Sequence, residues 1–309
     1  MDKKPILVTG GTGFLGGQLI SSLLSKQWPV SVFSRSEQTV RRKFGAKVSA
    51  YTRLEQLPGA GEFSAIVNLA GAGIFDSLWT AKRKNILRNS RIELTRGLVD
   101  WLRNSAQKPA LLISGSAIGY YGDQGEQLLT EQSPAVSDFA HLLCRDWEAE
   151  AQQAADIGVR VCIIRTGLVL GEGGLLKRML PAYRLGLGGV FGGGQQWMSW
   201  IHWRDWVSIA EAMIGQPDMQ GVYNATAPHP VTNRRFTLAL AGALHKTVRM
   251  PPLPAWLLRA LMGEMADLLL ASQRVSPERM LERGYSFLYP ELDTALNDIL
   301  TGHAGNVNL

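Results

Sequence analysis

Most of the chemistries that a sequence can announce are missing from this one. Only two cysteines, Cys144 and Cys162, occur in 309 residues. That is too few for a disulfide framework or a cysteine-based metal site, and two reduced, buried thiols suit a cytoplasmic protein. No metal ligand set is expected. There is no long uncharged apolar run: the most apolar stretch, 253–271, carries Arg259, Glu264 and Asp267, so it reads as a core or interface helix and not as a membrane span. No charged-then-apolar leader precedes the first apolar run, and no secretory address is expected. Internal repeats are absent too. The excess of positive charge is small, +6 with a pI near 9.4. Its one dense cluster, Arg41-Arg42-Lys43, is short, so it reads as solvated surface and nucleic acid is not an expected partner.

What remains is an ordinary globular composition, 46% hydrophobic and 19% charged, organised by period. Short apolar runs at 5–9, 30–33, 47–51, 65–69, 110–114 and 159–165 read as strands. Between and after them, helical spacing covers 14–26, 80–105, 139–156, 174–185, 204–214, 232–245 and 254–271. Apolar strands alternating with helices specify a parallel sheet covered on both faces. The expected fold class is therefore α/β, a Rossmann-type doubly wound sheet whose ligand crevice lies at the carboxyl ends of the strands. After residue 170 the texture turns glycine- and tryptophan-rich, then helical. The expected organisation is a nucleotide-binding domain over 1–170, to which 201–226 returns. A smaller, mostly helical substrate lobe covers 171–200 and 227–300, and 301–309 is a tail.

The most informative segment is Thr9-Gly10-Gly11-Thr12-Gly13-Phe14-Leu15-Gly16, directly behind Ile6-Leu7-Val8. A strand feeding a glycine-punctuated turn into a helix suits a dinucleotide pyrophosphate. Gly10 takes the tight turn, Gly13 lets backbone approach the phosphates, and Gly16 lets helix and strand pack closely. The second strand is followed by Ser34-Arg35-Ser36 and not by a carboxylate. A guanidinium grips a 2′-phosphate that a carboxylate would repel, so NADP(H) is the expected cofactor.

Three groups of residues together resemble the extended short-chain dehydrogenase/reductase superfamily, which contains the sugar-nucleotide epimerases: Thr9–Gly16, Asn68-Leu69-Ala70-Gly71, and Ser116–Gly122 followed by Thr130-Glu131. More narrowly, the chain is similar to the epimerase-family subgroup of NADP-binding proteins with a C-terminal domain of unknown function. That likeness rests on Trp79 with Ser90-Arg91, on Arg165–Leu170, on Leu185–Gly189 through Trp200-Ile201-His202 and Asp205, and on Gln273-Arg274-Val275 with Pro277-Glu278-Arg279. The resemblance implies that Gly10, Thr12, Gly13, Phe14, Leu15 and Gly16 cradle the pyrophosphate and that Ser34 and Arg35 meet the adenosine phosphate. Leu69, Ala70 and Gly71 would pass beneath the ribose, with Ser114 at the end of the fifth strand. Val169 would lie near the nicotinamide, and Arg91 would reach in from the long helix unless it pairs instead with Glu93 or Asp100.

Catalysis in that superfamily uses a serine, a tyrosine and a lysine four residues after the tyrosine. Here the tyrosine position is Phe139 and the lysine position is Leu143. Phenylalanine cannot move a proton, so the usual acid–base pair is missing. The candidates left are Ser116, which occupies the superfamily's serine position, with Tyr120, Tyr121 and His202; His141, Asp123 and Glu131 lie nearby in sequence. Each also has a structural reading, as a loop anchor, a cap or a satisfied core group. A glycine-rich loop at 188–194 and the side chains of Met179, Phe191, Trp197, Met198 and Trp200 read as a mobile cover and an apolar pocket wall, whereas Trp203 and Trp206 read as core. Three functions stay open. They are an NADP(H)-dependent oxidoreductase of a small carbonyl or alcohol, a sugar-nucleotide epimerase or dehydratase, and a non-catalytic NADP(H) sensor. The expected partner is a small-molecule substrate, with no membrane; a homodimer is left open.

Overall fold

The structure, a computed structural model, describes residues 3–301. Its centre is a sheet of β1 (Ile6–Thr9), β2 (Val30–Phe33), β3 (Val48–Tyr51), β4 (Ala65–Asn68), β5 (Leu111–Ala117), β7 (Arg160–Thr166) and β11 (Gly221–Ala225), with the two-residue β6 (Leu128–Leu129) lying outside it. The seven strands run in the order β11-β7-β5-β4-β1-β2-β3, and every pairing is parallel. All four residues of β1 and of β4 are buried, as expected for central strands covered on both faces. From β1 the chain winds outward through β2 and β3, then returns to start the other half at β4. That reversal opens a crevice beyond the carboxyl ends of β1 and β4.

On one face lie α1 (Phe14–Ser25) and α7 (Trp203–Gly215), which share a core with Ile6, Val8, Leu19, Ile20, Val32 and Trp206. The other face is covered by α4 (Ile92–Asn104) and α5 (Phe139–Gln152), packed through Val99, Leu102 and Ala151 on Leu7, Ile66 and Leu112. A further apolar cluster joins α6 (Gly174–Arg184), α8 (Asn233–Ala243) and α12 (Leu292–Thr301) through Leu176, Tyr183, Phe236, Leu240, Leu296 and Ile299. Three short strand pairs stitch this region to the rest. They are β8 (Leu168–Leu170) with β10 (Trp200–His202), β9 (Trp197–Met198) with β12 (Val231–Thr232), and β13 (Arg274–Val275) with β6.

Several elements differ from the sequence reading. The helix expected over 80–105 is two helices, α3 (Ala81–Asn89) and α4. At the break the Ser90 hydroxyl donates to the Leu87 carbonyl and accepts the Ala72 N–H, 3.1 and 3.0 Å away, a local bond that competes with helix continuation. The stretch 254–271 is likewise divided, into α9 (Ala255–Met262), a 3-10 turn over Gly263–Ala266, and α10 (Asp267–Leu270); Gly263 at φ 58° stops α9. Unforeseen elements include the seventh strand β11, α2 (Glu37–Phe44), α11 (Glu278–Glu282), α12 and the short strands β6 and β13. The expected tail begins one residue late, because Thr301 ends α12; residues 302–309 lie outside those described.

Candidate functional site

The crevice is built by the turn after β1 meeting the turn after β4. Gly10 has φ 69°, and a Cβ there would stand 2.7 Å from the Leu69 carbonyl carbon and oxygen. Thr9 ties the two turns together. Its hydroxyl donates to Asn68 Oδ1 at 2.7 Å and accepts the N–H groups of Leu69 and Ala70, each 3.1 Å away. Asn68 is held in turn through Thr95 Oγ1, which also accepts from Trp147 Nε1. A Cβ on Gly16 would come within 2.5 Å of the Gly10 carbonyl oxygen, so α1 closes tightly on the turn. No side chain caps α1 at Gly13, which leaves its first-turn N–H groups for an anion. The Phe14 ring packs against Gly171 and Gly173.

Around this cradle stand the basic residues. Arg35 is exposed and has no hydrogen-bond or ion-pair partner among the described residues; Ser34 donates its backbone N–H to the Tyr51 carbonyl. Lys43, from the cluster read as solvated surface, instead bonds the glycine turn, with Nζ 3.2 and 3.0 Å from the carbonyls of Thr12 and Gly13. Burial lowers its pKa. Nothing in the sequence marked it, because α2 is a polar helix with only Val40 and Phe44 buried. Arg91 does not make the alternative ion pairs: Glu93 pairs with Arg96, and Asp100 with Arg103. Arg91 lies against Gly71, donates to the carbonyls of Ala72 and Leu87, and faces the Trp147 ring at 5.4 Å. It has no carboxylate partner among the described residues, and burial pulls its pKa down to about 10. Val169 is half-buried on β8, in register with Ile201. Ser114 is fully buried within β5, its hydroxyl 3.4 Å from the Gly115 carbonyl.

The serine and tyrosine candidates meet in one buried network. Ser116 donates to Glu148 Oε1 at 2.5 Å, and Arg165 grips both oxygens of that carboxylate at 2.9 Å. Burial opposes the charge on Arg165, but Glu148 outweighs it and holds the guanidinium's pKa above its ordinary value. Arg165 also donates to the Tyr121 hydroxyl at 3.1 Å, and that hydroxyl donates to Asn224 Oδ1 at 2.7 Å. Burial pushes the Tyr121 pKa up to about 12. The Tyr120 ring lies over the same guanidinium, 3.3 Å from its carbon, while His141 Nδ1 donates to the Tyr120 carbonyl at 2.6 Å. Of the three hydroxyls, only that of Tyr120 has no hydrogen-bond partner among the described residues. Glu131 is a loop anchor that accepts the Asn224 and Arg279 N–H groups, and Asp123 accepts those of Gly125 and Ser272. Phe139 and Leu143 belong to an apolar cluster with Leu87, Ile92, Trp79 and Trp147.

His202 is fully buried. Its Nδ1 accepts the Arg204 N–H at the start of α7, its ring stacks on Tyr289 at 3.9 Å, and Nε2 faces Asp298 at 3.2 Å, off the line of a good hydrogen bond. The nearby Asp205 carboxylate accepts the Leu288 and Tyr289 N–H groups. Burial holds the His202 pKa well below the ordinary histidine range. The unfolded chain therefore takes up this proton first as pH falls, and the stability from the neutral ring is present above about pH 6.5 and lost below it. Expected stability falls by about 1.4 kcal/mol per pH unit below that value, and His202→Asn flattens the dependence. Denaturation midpoints between pH 7 and 5 check this; parallel curves for both proteins would refute it.

The expected pocket wall is also rearranged. Trp200 is fully buried, donating to the His229 carbonyl, and Trp206 is core, as expected. The glycine loop is pinned: Phe191 N–H donates to Asn233 Oδ1, and Val190 and Gly192 exchange backbone bonds with Leu253. Among the described residues there is no group of side chains that could hold a metal ion and no helix long and apolar enough to cross a membrane.

Residues 6–226 match the NAD dependent epimerase/dehydratase family, and 253–299 match a domain of unknown function, DUF1731. The chain belongs to the NAD dependent epimerase/dehydratase family. It is 36% identical over 302 residues to the chloroplastic epimerase family protein SDR39U1 homolog of Arabidopsis thaliana, covering 96% of this chain and 86% of that one. It is 33% identical over 300 residues to epimerase family protein YfhF of Bacillus subtilis, covering 96% and 97%. The crystal structure of human epimerase family protein SDR39U1 with NADPH superposes with a TM-score of 0.86 at 32% identity, covering 96% and 99% of the two chains.

Proposed function

We propose that this protein binds NADP(H) and transfers hydride to or from a small carbonyl or alcohol, with Tyr120 as the proton donor in place of the absent tyrosine–lysine pair. The observation that carries the reading is the crevice itself. A cradle that side chains at Gly10 or Gly16 would fill is ringed by Arg35, unpaired among the described residues, by Arg91, which has no carboxylate among them, and by Lys43 on the glycine turn. Those residues fit a phosphorylated dinucleotide, and the human relative's crystal structure contains NADPH. The α1 N-terminus and Arg91 would hold the pyrophosphate, and Ser34 and Arg35 the 2′-phosphate. When bound, NADP(H) supplies or accepts the hydride.

The chain's own part is the proton. Ser116 and Tyr121 already donate their hydroxyl hydrogens in bonds to Glu148 and Asn224, and His202 is sealed in the core. The Tyr120 hydroxyl has no partner among the described residues, and its ring is fixed by Arg165 and His141. Buried, reduced Cys144 and Cys162 support a cytoplasmic setting. The separate apolar cluster of α6, α8 and α12 supports a substrate lobe over 171–200 and 227–300 beside a nucleotide domain over 1–170 with 201–226.

The test is incubation with stereospecifically labelled NADPH and a panel of carbonyl compounds. Label should leave the cofactor, and Tyr120→Phe should slow turnover about a hundredfold while NADPH affinity is kept. Inversion at C-4 of a sugar nucleotide would replace this reading with epimerisation. Tight binding without turnover would replace it with cofactor sensing.

A further inference from the structure

We infer that the substrate carries an oxyanion, a carboxylate or phosphate, and that Arg83 and Lys84 at the start of α3 bind it against the aromatic wall of Trp79 and Phe139. This names the substrate class of the proposed reaction and rests on that reading.

The loop from Gly71 to Thr80 leaves the carboxyl end of β4, so it borders the crevice. It is folded tightly on itself: Trp79 Nε1 donates to the Ile74 carbonyl at 3.1 Å, and a Cβ on Gly73 would meet the Asp76 carboxylate at 2.4 Å. Behind it, α3 presents two successive cations. Arg83 donates from Nη2 to the Gly73 carbonyl, yet its Nε–H is buried and has no acceptor among the described residues. Its side chain is only 14% exposed, and its one carboxylate neighbour, Asp76, stands 3.8 Å off and is gripped at 2.6 Å by Arg178. Lys84 holds its ammonium 4.9 Å from the centre of the Phe139 ring, which meets Trp79 edge-on at 4.9 Å. By the resemblance Phe139 takes the position of the superfamily's tyrosine, which would put Lys84 beside the place of reaction. Its partner is Glu264, from the 3-10 turn between α9 and α10, and that side chain is 60% exposed.

The charges do not balance locally. With Arg91 left to the pyrophosphate, Arg83, Lys84 and Arg178 still share only two carboxylates in their ion pairs among the described residues, Asp76 and Glu264, both more than half exposed. Arg91 and Arg83 are close enough to repel each other. A buried donor without an acceptor and a cation without a counter-charge both raise the free energy of the ligand-free protein. An oxyanion removes both penalties, because a guanidinium offers two parallel N–H groups to a carboxylate or to two oxygens of a phosphate. The edge-to-face pair of Trp79 and Phe139 then suits an apolar or aromatic body behind the anion. The sequence reading of a mostly apolar pocket wall accounts for that body but not for the charge.

The probes are benzoate, phenyl phosphate and the neutral benzamide, titrated by calorimetry into full-length protein saturated with NADPH. At least one anion should bind ten or more times tighter than benzamide. Arg83→Gln should remove that preference, and Lys84→Met, which spares the Arg83 bonds, should weaken it separately. A preference confined to benzoate identifies a carboxylate substrate, and one confined to phenyl phosphate a phosphate ester. Equal binding of benzamide and both anions, or an unchanged preference in the two variants, overturns the inference. NADPH affinity is measured on the same samples without probes. If NADPH fails to bind while the anion preference persists in cofactor-free protein, the proposed function fails and the anion site stands.

Discussion

Arg35→Glu lowers the affinity for NADPH about a thousandfold and leaves NADH binding nearly unchanged. The size follows from the exposed guanidinium's freedom to grip a 2′-phosphate with two charge-assisted bonds. Each is worth about 1.5–3 kcal/mol, and a loss of about 4 kcal/mol is a thousandfold. A carboxylate in its place adds repulsion. Ligand-free stability should not move, because Arg35 has no partner to lose among the described residues. Titration calorimetry with both cofactors at two salt concentrations reads the effect, and added salt should shrink it, since the pair is exposed. Equal NADPH affinity in the variant and the parent would remove the NADP(H) assignment and leave only a nucleotide cradle.

The half of the molecule that builds this cradle was legible because its signals are local. Ile6–Thr9 and Ala65–Asn68 are apolar runs that the core requires on both faces, and the glycines after β1 sit where backbone must touch backbone. Elements whose reasons are tertiary were not legible. Strand β11 is paired on one side only, by β7, and its Asn224 is polar because it serves Tyr121. Helix α2 looks like exposed charge, although Lys43 reaches back to the glycine turn. The break at Ser90 depends on an N–H from a loop eighteen residues earlier.

The candidate site divides in the same way. Residue types identified Ser116, Tyr120, Tyr121 and His202 as able to do chemistry, but which of them is uncommitted depends on partners far away in the chain. Glu148 sits 32 residues from Ser116 and 17 from Arg165. Nothing in its own neighbourhood of α5 distinguishes it from the partly buried acids Asp146 and Glu150 there. Only the parallel pairing of Ser116 with Arg165 across β5 and β7 puts both side chains over one turn of that helix.

That pairing makes Glu148 the residue whose loss the fold should tolerate least. Glu148→Ala leaves the Arg165 guanidinium, 4% exposed, without its counter-charge and takes away the acceptor of Ser116. Breaking a buried pair from one side costs about 3–5 kcal/mol, which for a chain of this size lowers the melting temperature by about 5–8 °C. Removing the other partner as well tells charge from packing. Glu148→Ala with Arg165→Met has no stranded charge, so it should melt higher than Glu148→Ala alone although it lacks more native contacts. The double variant should also free the Tyr120 ring from its cation and give Tyr121 one bond fewer. Its hydride transfer should therefore fall even where its stability recovers. Thermal melts and labelled-cofactor assays on the same three proteins read the two effects side by side. A double variant no more stable than Glu148→Ala would mean that the network holds the fold by shape rather than by charge.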